Sequence, residues 1–328
     1  MPRLTDRDLV RMRGQLFFEG DDVGRKLSRF WLLLTLSAVI ASAGVVGDST
    51  ATVIGAMIVA PLMVPILGTV LSVVLADRDN LLRCVGLVVA GAAAVVGIAW
   101  VVGFALDLPI TAATNSQVAG RVSPRLIDLI AALATGAVGA IALARDDISD
   151  TLPGVAIAIS LVPPLAVVGL ALESGAPDEA FGALLLFVTN VCAILATGLL
   201  VMAVYRVNQL AMVAPAATVH ELKQRRAVVA IVLALVIVSL PLGYNSARIN
   251  DTRSTEATVS EVATAWATEA GWDVASVTTR PSGVLVRATG PLPEPDAASL
   301  QAALDRAGVG EATVRIELIP NRVFEFNP

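Results

Sequence analysis

Two stretches of the chain set prolines inside long apolar runs. The first is Ile54-Gly55-Ala56-Met57-Ile58-Val59-Ala60-Pro61-Leu62-Met63-Val64-Pro65. The second runs from Pro153-Gly154 through Ser160-Leu161-Val162 to Pro163-Pro164-Leu165. Proline removes a backbone donor and its ring clashes with the preceding turn. At membrane depth this frees carbonyls, which persist only where neighbouring helices or a watered cavity satisfy them. Breaks at matching positions of two segments are the pattern by which discontinuous helices of secondary transporters hold a solute or ion. Pro61, Pro65, Ser160, Pro163 and Pro164 are therefore candidate substrate-site residues, with packing kinks as the alternative.

The few other polar residues near these breaks complete the candidate set. Asn190 follows Thr189 in the middle of an apolar run, too deep to reach headgroups. It must bond another helix, a freed carbonyl or a substrate, and the broken backbone near Val162–Pro164 is its expected partner. Arg121 and Ser123 precede Asp128. Asp128 opens a helix, where the dipole favours a carboxylate; capping is one reading, and gating an outer mouth together with Arg121 is the other. Half-helix N-termini favour an anionic group on the solute, and Arg121 is the only nearby cation. Asp48 and Asp147 end the first and fourth apolar runs and are expected to cap the helices that follow. Ion binding at Asp48 or Asp128 is the weaker alternative.

Other chemistry lacks its parts. The single histidine is His220, in a loop, and the two cysteines, Cys84 and Cys192, lie in or beside apolar runs as packing residues. No metal set, disulfide or nucleophile–base pair is expected, so neither a cofactor nor an enzyme activity is. No phosphate-binding loop supports ATP-driven pumping. A net charge of −5 without a basic, aromatic-laced stripe excludes a nucleic-acid partner.

The elements that position these residues are membrane helices. Charged residues make up 16% of the chain and mean hydropathy is +0.77, against about 25% charge in soluble domains. Seven runs are long enough to span a bilayer: Phe30–Val46, Thr50–Ala76, Leu81–Leu106, Leu126–Ala144, Thr151–Leu172, Ala180–Tyr205 and Ala227–Tyr244. None alternates as a barrel strand would. The lipid bilayer is thus the expected partner. Arg25, Lys26 and Arg29 before an apolar run and Ala41-Ser42-Ala43 resemble a leader peptide, but the long acidic preceding segment favours a retained span. Fourteen loop lysines and arginines fall on the side of residues 1–29 and four on the other, among them Arg121, Arg125, Arg248 and Arg253. That bias predicts a cytoplasmic N-terminus in a prokaryotic inner membrane. Thr5-x-x-Asp8 reads as a capping box, and Leu9, Met12 and Leu16 share a face. The N-terminal segment 1–29 thus reads as an interfacial helix or a solvated basic tail.

The membrane domain, 30–206, repeats itself. A shift of 99 residues superposes Asp48 on Asp147, Thr52 on Thr151, Gly55 on Gly154, Leu62 on Leu161 and Pro65 on Pro164, among ten identities between Ser37 and Pro65. Three spans per unit, 30–106 and 126–205, invert the second unit relative to the first. A cytoplasmic loop, 207–226, and a seventh helix, 227–244, lead to an extracytoplasmic domain, 250–328. That domain reads helix, strand, strand, helix, strand: helices near Thr255–Ala270 and Asp296–Ala307, strands near Asp273–Thr279, Gly283–Thr289 and Thr313–Ile319.

The motifs Ile54-Gly55-Ala56-Met57, Ala60-Pro61-Leu62-Met63-x-Pro65-Ile66-x-Gly68, Arg121-x-Ser123-Pro124-x-x-x-Asp128 and Pro153-Gly154-Val155-Ala156-Ile157-Ala158 resemble those of a prokaryotic membrane family known as domain of unknown function 389. Pro163-Pro164-Leu165, Gly182-Ala183 and Asn190 extend the resemblance, which covers about Ala43 to Arg206. The chain departs from it at Ala60, commonly serine, and at Asp48, usually an amide. The resemblance implies a membrane domain and supplies no activity. The expected fold is an all-α polytopic membrane protein of two inverted three-helix repeats with broken middle helices, a seventh helix and a small C-terminal α+β domain. The expected function is secondary transport of a small solute or ion. The alternatives are an oligomeric channel, for which Gly91, Gly97 and Gly103 offer a small-residue packing face, and a sensor or scaffold with a ligand-binding outer domain.

Overall fold

The computed structural model describes residues 5–106, 109–145, 161–205 and 207, isolated positions between 229 and 255, and residues 257–280, 283–309 and 313–320. Two compact units divide the chain, Met1–Asn245 and Ser246–Pro328.

The first unit is helical. Its described helices are α1 (Asp6–Leu16), α2 (Val23–Val46), α3 (Thr50–Val59), α4 (Met63–Leu75), α5 (Arg78–Leu106), α6 (Ser116–Val122), α7 (Leu126–Ala144), α8 (Val162–Glu173) and α9 (Pro177–Val204). Among the described residues, α2, α5, α7 and α9 are long and apolar enough to cross a membrane. The pair α3 and α4, bent by 45°, makes a fifth such span if counted as one. The fifth expected run is described only from Leu161 onward, as α8, and the seventh falls almost wholly outside the described residues. Long helices are the economical solution here because an apolar surround leaves backbone groups no partner but one another.

Helix ends sort to two sides. Arg13 meets Glu19 and Asp77, and Asn80 donates to both carboxylates, so the end of α1, the start of α2, the end of α4 and the start of α5 share one side. Asp48 meets Ser116 and Gln117, and the amide of Ile110 donates to Ser174 Oγ, so the ends of α2, α5 and α8 share the other with α6. Helix α2 therefore runs from the first side to the second.

The N-terminal segment packs one apolar face on the helical unit. Met12, Leu16, Phe17 and Phe18 are buried in the main apolar cluster, and α1 packs on α4. Thr5 donates from its N–H and its hydroxyl to the Asp8 carboxylate at 2.8 and 2.7 Å, as the capping motif requires. At the other end Lys26 Nζ donates to the carbonyls of Gly14 and Phe17 at 2.8 and 2.9 Å.

Two of the glycines expected to serve oligomer packing are used within the chain. A Cβ on Gly91 would stand 3.1 Å from Leu34 and Leu62, and one on Gly103 3.1 Å from Glu173, whereas Gly97 faces open space.

In the second unit a helix over 257–269 (α10) leads into β1 (Asp273–Arg280), β2 (Gly283–Gly290), α11 (Ala297–Arg306) and β3 (Val314–Pro320). The sheet order is β1-β2-β3; β1 pairs antiparallel with β2, and β3 parallel to it through the α11 crossover. Val259, Trp266 and Trp272 pack with Val284, Val286, Leu300 and Leu304. Val314, Ile316 and Leu318 alternate onto the same face. Trp266 Nε1 donates to Ser299 Oγ at 2.9 Å and ties the two helices together.

Candidate functional site

The first break has a local cause. A residue before proline is pushed out of the helical region, and Ala60 adopts φ −65°, ψ 126° ahead of Pro61. Pro61 has no N–H to offer the Met57 carbonyl, and the last carbonyls of α3 lose their ordinary donors. One of them is met from another helix: Ser37 Oγ, fully buried in α2, donates to the Ala56 carbonyl at 2.7 Å. This is the inter-helix satisfaction a mid-membrane break requires. The chain re-enters helix at Met63. Pro65 sits in the first turn of α4, where a missing N–H removes no helical bond.

The second proline pair behaves like Pro65. Val162, Pro163 and Pro164 form the first turn of α8, after Leu161 in a helical conformation. Among the described residues the pair thus lies in the first turn of a helix. Leu161, Val162, Leu62 and Met63 are all buried in a single apolar cluster, and α3 touches α8. Ser160 and Asp147 lie outside the described residues. Asn190, in α9, is 2% exposed and engaged in a polar interaction. Its neighbour Thr189, also buried, turns its hydroxyl back to the Leu185 carbonyl at 2.7 Å.

The remaining candidates gather on the second side, around α6. Asp48, at a positive φ of 47°, was expected to cap the helix that follows it. Ser49 takes that place, its hydroxyl accepting from the Thr52 amide at 3.3 Å. Asp48 instead caps α6, sixty-nine residues on at Gln117: Oδ1 accepts from Ser116 Oγ at 2.7 Å and from the Gln117 amide at 3.0 Å. The Ser116 hydroxyl above all, with the backbone amides, holds this carboxyl below its ordinary range despite some desolvation. Asn115 Nδ2 donates to the Val45 carbonyl at 2.6 Å and Gln117 Nε2 to Thr50 Oγ1 at 2.8 Å. Asn115 and Gln117 are buried, so α6 is clasped to the α2–α3 turn.

Arg121 and Asp128 do not pair with each other. Asp128 accepts from the Arg125 amide at 2.8 Å, closing the N-terminus of its own helix. Arg121 Nη1 donates to the Gln117 carbonyl and to Gln117 Oε1 at 2.6 and 3.1 Å. Burial lowers the Arg121 pKa, and no charged neighbour contributes to that shift. Its guanidinium remains a cation regardless. Ser123 ends α6 and is exposed. One close approach fixes this short helix: a Cβ on Gly182 of α9 would fall on the Val122 carbonyl.

A second polar network, on the first side, was not among the sequence candidates. Asn80, 3% exposed, donates to Glu19 at 2.8 Å and Asp77 at 2.9 Å, and Arg13 reaches the same two carboxylates at 3.2 and 3.5 Å. Burial raises the Asp77 pKa, but the Asn80 hydrogen bonds and the Arg13 charge outweigh it and the net shift is downward. Its signal was the pair Asp77 and Asn80 in the short connection between two spans, just beyond the apolar runs that hydropathy windows pick out. Among the described residues no group of histidines, cysteines or carboxylates could hold a metal ion.

Residues 57–196 match the model of a family described as a domain of unknown function (DUF389). An uncharacterized protein of Methanocaldococcus jannaschii is similar to the chain, 31% identical over 197 residues that make up 60% of each sequence. The chain thus matches about 60% of the length of that relative. No solved structure matches. The segment that matches this family takes in both half-helix starts, α6 and Asn190.

Proposed function

We propose that this chain is a secondary transporter of a small anionic solute, working by alternating access of two inverted three-helix units. The observation that carries the reading is a matched pair of close contacts. Helix α4 packs on α5 and on α9, while α8 packs on α9 and on α5. The starts of α4 and α8, Met63 and Val162, stand 99 residues apart, and so do those of α5 and α9, Arg78 and Pro177. Gly198 of α9 lies against Val70 of α4, and Gly169 of α8 lies against Ala99 of α5. The shift of 99 turns the first pair into the second. Exchanged partners with corresponding residues are what a two-fold axis between the units would generate, and three spans per unit would lay that axis in the membrane plane. The positive N-terminal ends of α4 and α8 favour an anion, as does the charge of Arg121, which has no carboxylate partner among the described residues. The cation bias supports a cytoplasmic N-terminus and an outer C-terminal domain.

The test is electrical. Purified full-length protein in proteoliposomes on a solid-supported membrane is challenged with gradients of chloride, phosphate and acetate. Saturable, gradient-coupled charge movement without unitary steps is expected for at least one of them. Unitary current steps in a planar bilayer would instead make the protein a channel, and no flux of any anion would leave the sensor or scaffold reading. Asn190→Leu separates packing from site. It is expected to abolish flux while the protein inserts and purifies normally; normal flux with normal stability would remove Asn190 from the path.

A further inference from the structure

A cleft of about 650 Å³ opens on the first unit between α1, the first turns of α2 and the α3–α4 break. Its walls are largely apolar: Phe17, Phe30, Leu33, Ile58, Val59 and Val64, with Pro61 also lining it. Lys26 and Arg29 also line it, one α2 turn apart. Lys26 spends two of its three donors on the α1 carbonyls. Arg25 is neutralised by Asp22 at 3.3 Å, but among the described residues neither Lys26 nor Arg29 has a carboxylate partner. Arg29 stands roughly 9 Å along α2 from Val23. Phe18, Phe30 and Trp31 form an edge-to-face series with centroids 5.8 and 5.3 Å apart. Aromatic side chains of this kind collect at the headgroup level of a bilayer.

From this geometry we infer that the cleft binds one anionic phospholipid. Its phosphate sits between Arg29 and the free Lys26 donor, and an acyl chain lies along the apolar wall toward Pro61. The charge pattern selects this occupant. A soluble anion would use the cations and leave the apolar trough wet. A zwitterionic lipid would fill the trough but bring its own ammonium cation up to the two already there. A peptide would find few backbone groups to bond, since the helices satisfy their own. The site stands apart from the transport reading and uses none of the residues assigned to the solute path except Pro61.

A cation beside an anionic lipid surface is worth about 1 kcal/mol, which corresponds to roughly fivefold in affinity. The measurement is native mass spectrometry of the detergent-purified full-length protein titrated with phosphatidylglycerol, with thermal midpoint as a second readout. One bound phosphatidylglycerol is expected, with a raised midpoint. Arg29→Gln is expected to weaken binding about fivefold without moving the lipid-free midpoint, and Arg29→Lys to restore it. Ile58→Trp, at an exposed wall position, should weaken it by filling the trough. Equal binding of phosphatidylcholine would make the lipid annular. Equal stabilisation by inorganic phosphate would make the site one for a soluble anion. A dimer lost on Ile58→Trp would make the occupant a second copy, and unchanged binding in Arg29→Gln would remove the headgroup contact. Each of these four results overturns the proposal.

Discussion

Alanine at Gly169 tests the packing on which the two-unit reading stands. Its Cβ would lie 2.7 Å from Ala99 Cβ and 2.8 Å from the Trp100 amide nitrogen, and closer still to the Val96 carbonyl oxygen. Ordinary carbon contacts fall at about 3.5–4.0 Å, so α5 and α8 must part by roughly 1 Å. Two of the three obstacles are backbone atoms that no rotamer change can move. Overpacking of this kind costs about 1–3 kcal/mol, set against about 1 kcal/mol gained in helix propensity. The net loss of about 0–2 kcal/mol should lower the thermal midpoint by up to roughly 8 °C for a unit of this size. Cys84 and Cys192 are both buried and reduced, so a thiol-reactive fluorophore reports opening of the helical unit alone. Gly198→Ala meets only side-chain atoms of Val70, the nearest at 2.9 Å, and Val70→Ala should rescue it. Ala99→Gly should not rescue Gly169→Ala, because the backbone obstacles remain. Gly97→Ala, with nothing within 4 Å, is the control and should be neutral or stabilising. If Gly169→Ala melts like Gly97→Ala, or is rescued by Ala99→Gly, the α5–α8 contact is misplaced and the matched pair of contacts fails with it.

Ser37→Ala removes the donor to the Ala56 carbonyl and should cost about 0.6–1.7 kcal/mol, the range of hydrogen bonds between membrane helices, read as a lower midpoint in the same thiol assay. Asp48 is deprotonated more readily in the folded chain than its ordinary value of 3.8 implies; its contribution is therefore full above that value and lost as pH falls through the lower folded one. Asp48→Asn should accordingly lower the midpoint at about pH 6 and narrow its difference from the parent at about pH 3, and a gap unchanged between the two would mean that the carboxylate does not hold α6. A reporter fused after Pro328 should be active only outside the cytoplasm; activity inside would overturn both the seven-span count and the orientation.

Much was legible before any packing was known, because it depends on residues close in sequence. Leu126–Ala144 was read from apolar composition alone and is a helix over that same range. The helix–strand–strand–helix–strand order of the C-terminal unit followed from period-two runs and turn residues, and Val314, Ile316 and Leu318 share the face expected of them. The break at Ala60–Pro61 is equally local, since a proline dictates the conformation of the residue before it. Which groups answer that break was not legible. Ser37 is 19 residues from Ala56, and nothing in an apolar helix marks one serine as a donor to another helix. Asp48 was assigned to the nearest helix because caps are usually local, and only the fold brings α6 to it across 69 residues. For Asp128 the sequence left two readings open, capping its own helix or pairing with Arg121 seven residues away; the turn between α6 and α7 gives each a partner of its own, and Asp128 takes the capping role. Composition and periodicity determine which segments are helices and where the backbone must break. Long-range packing alone decides which polar groups meet, because a hydrogen bond depends on a few ångströms that sequence separation does not encode.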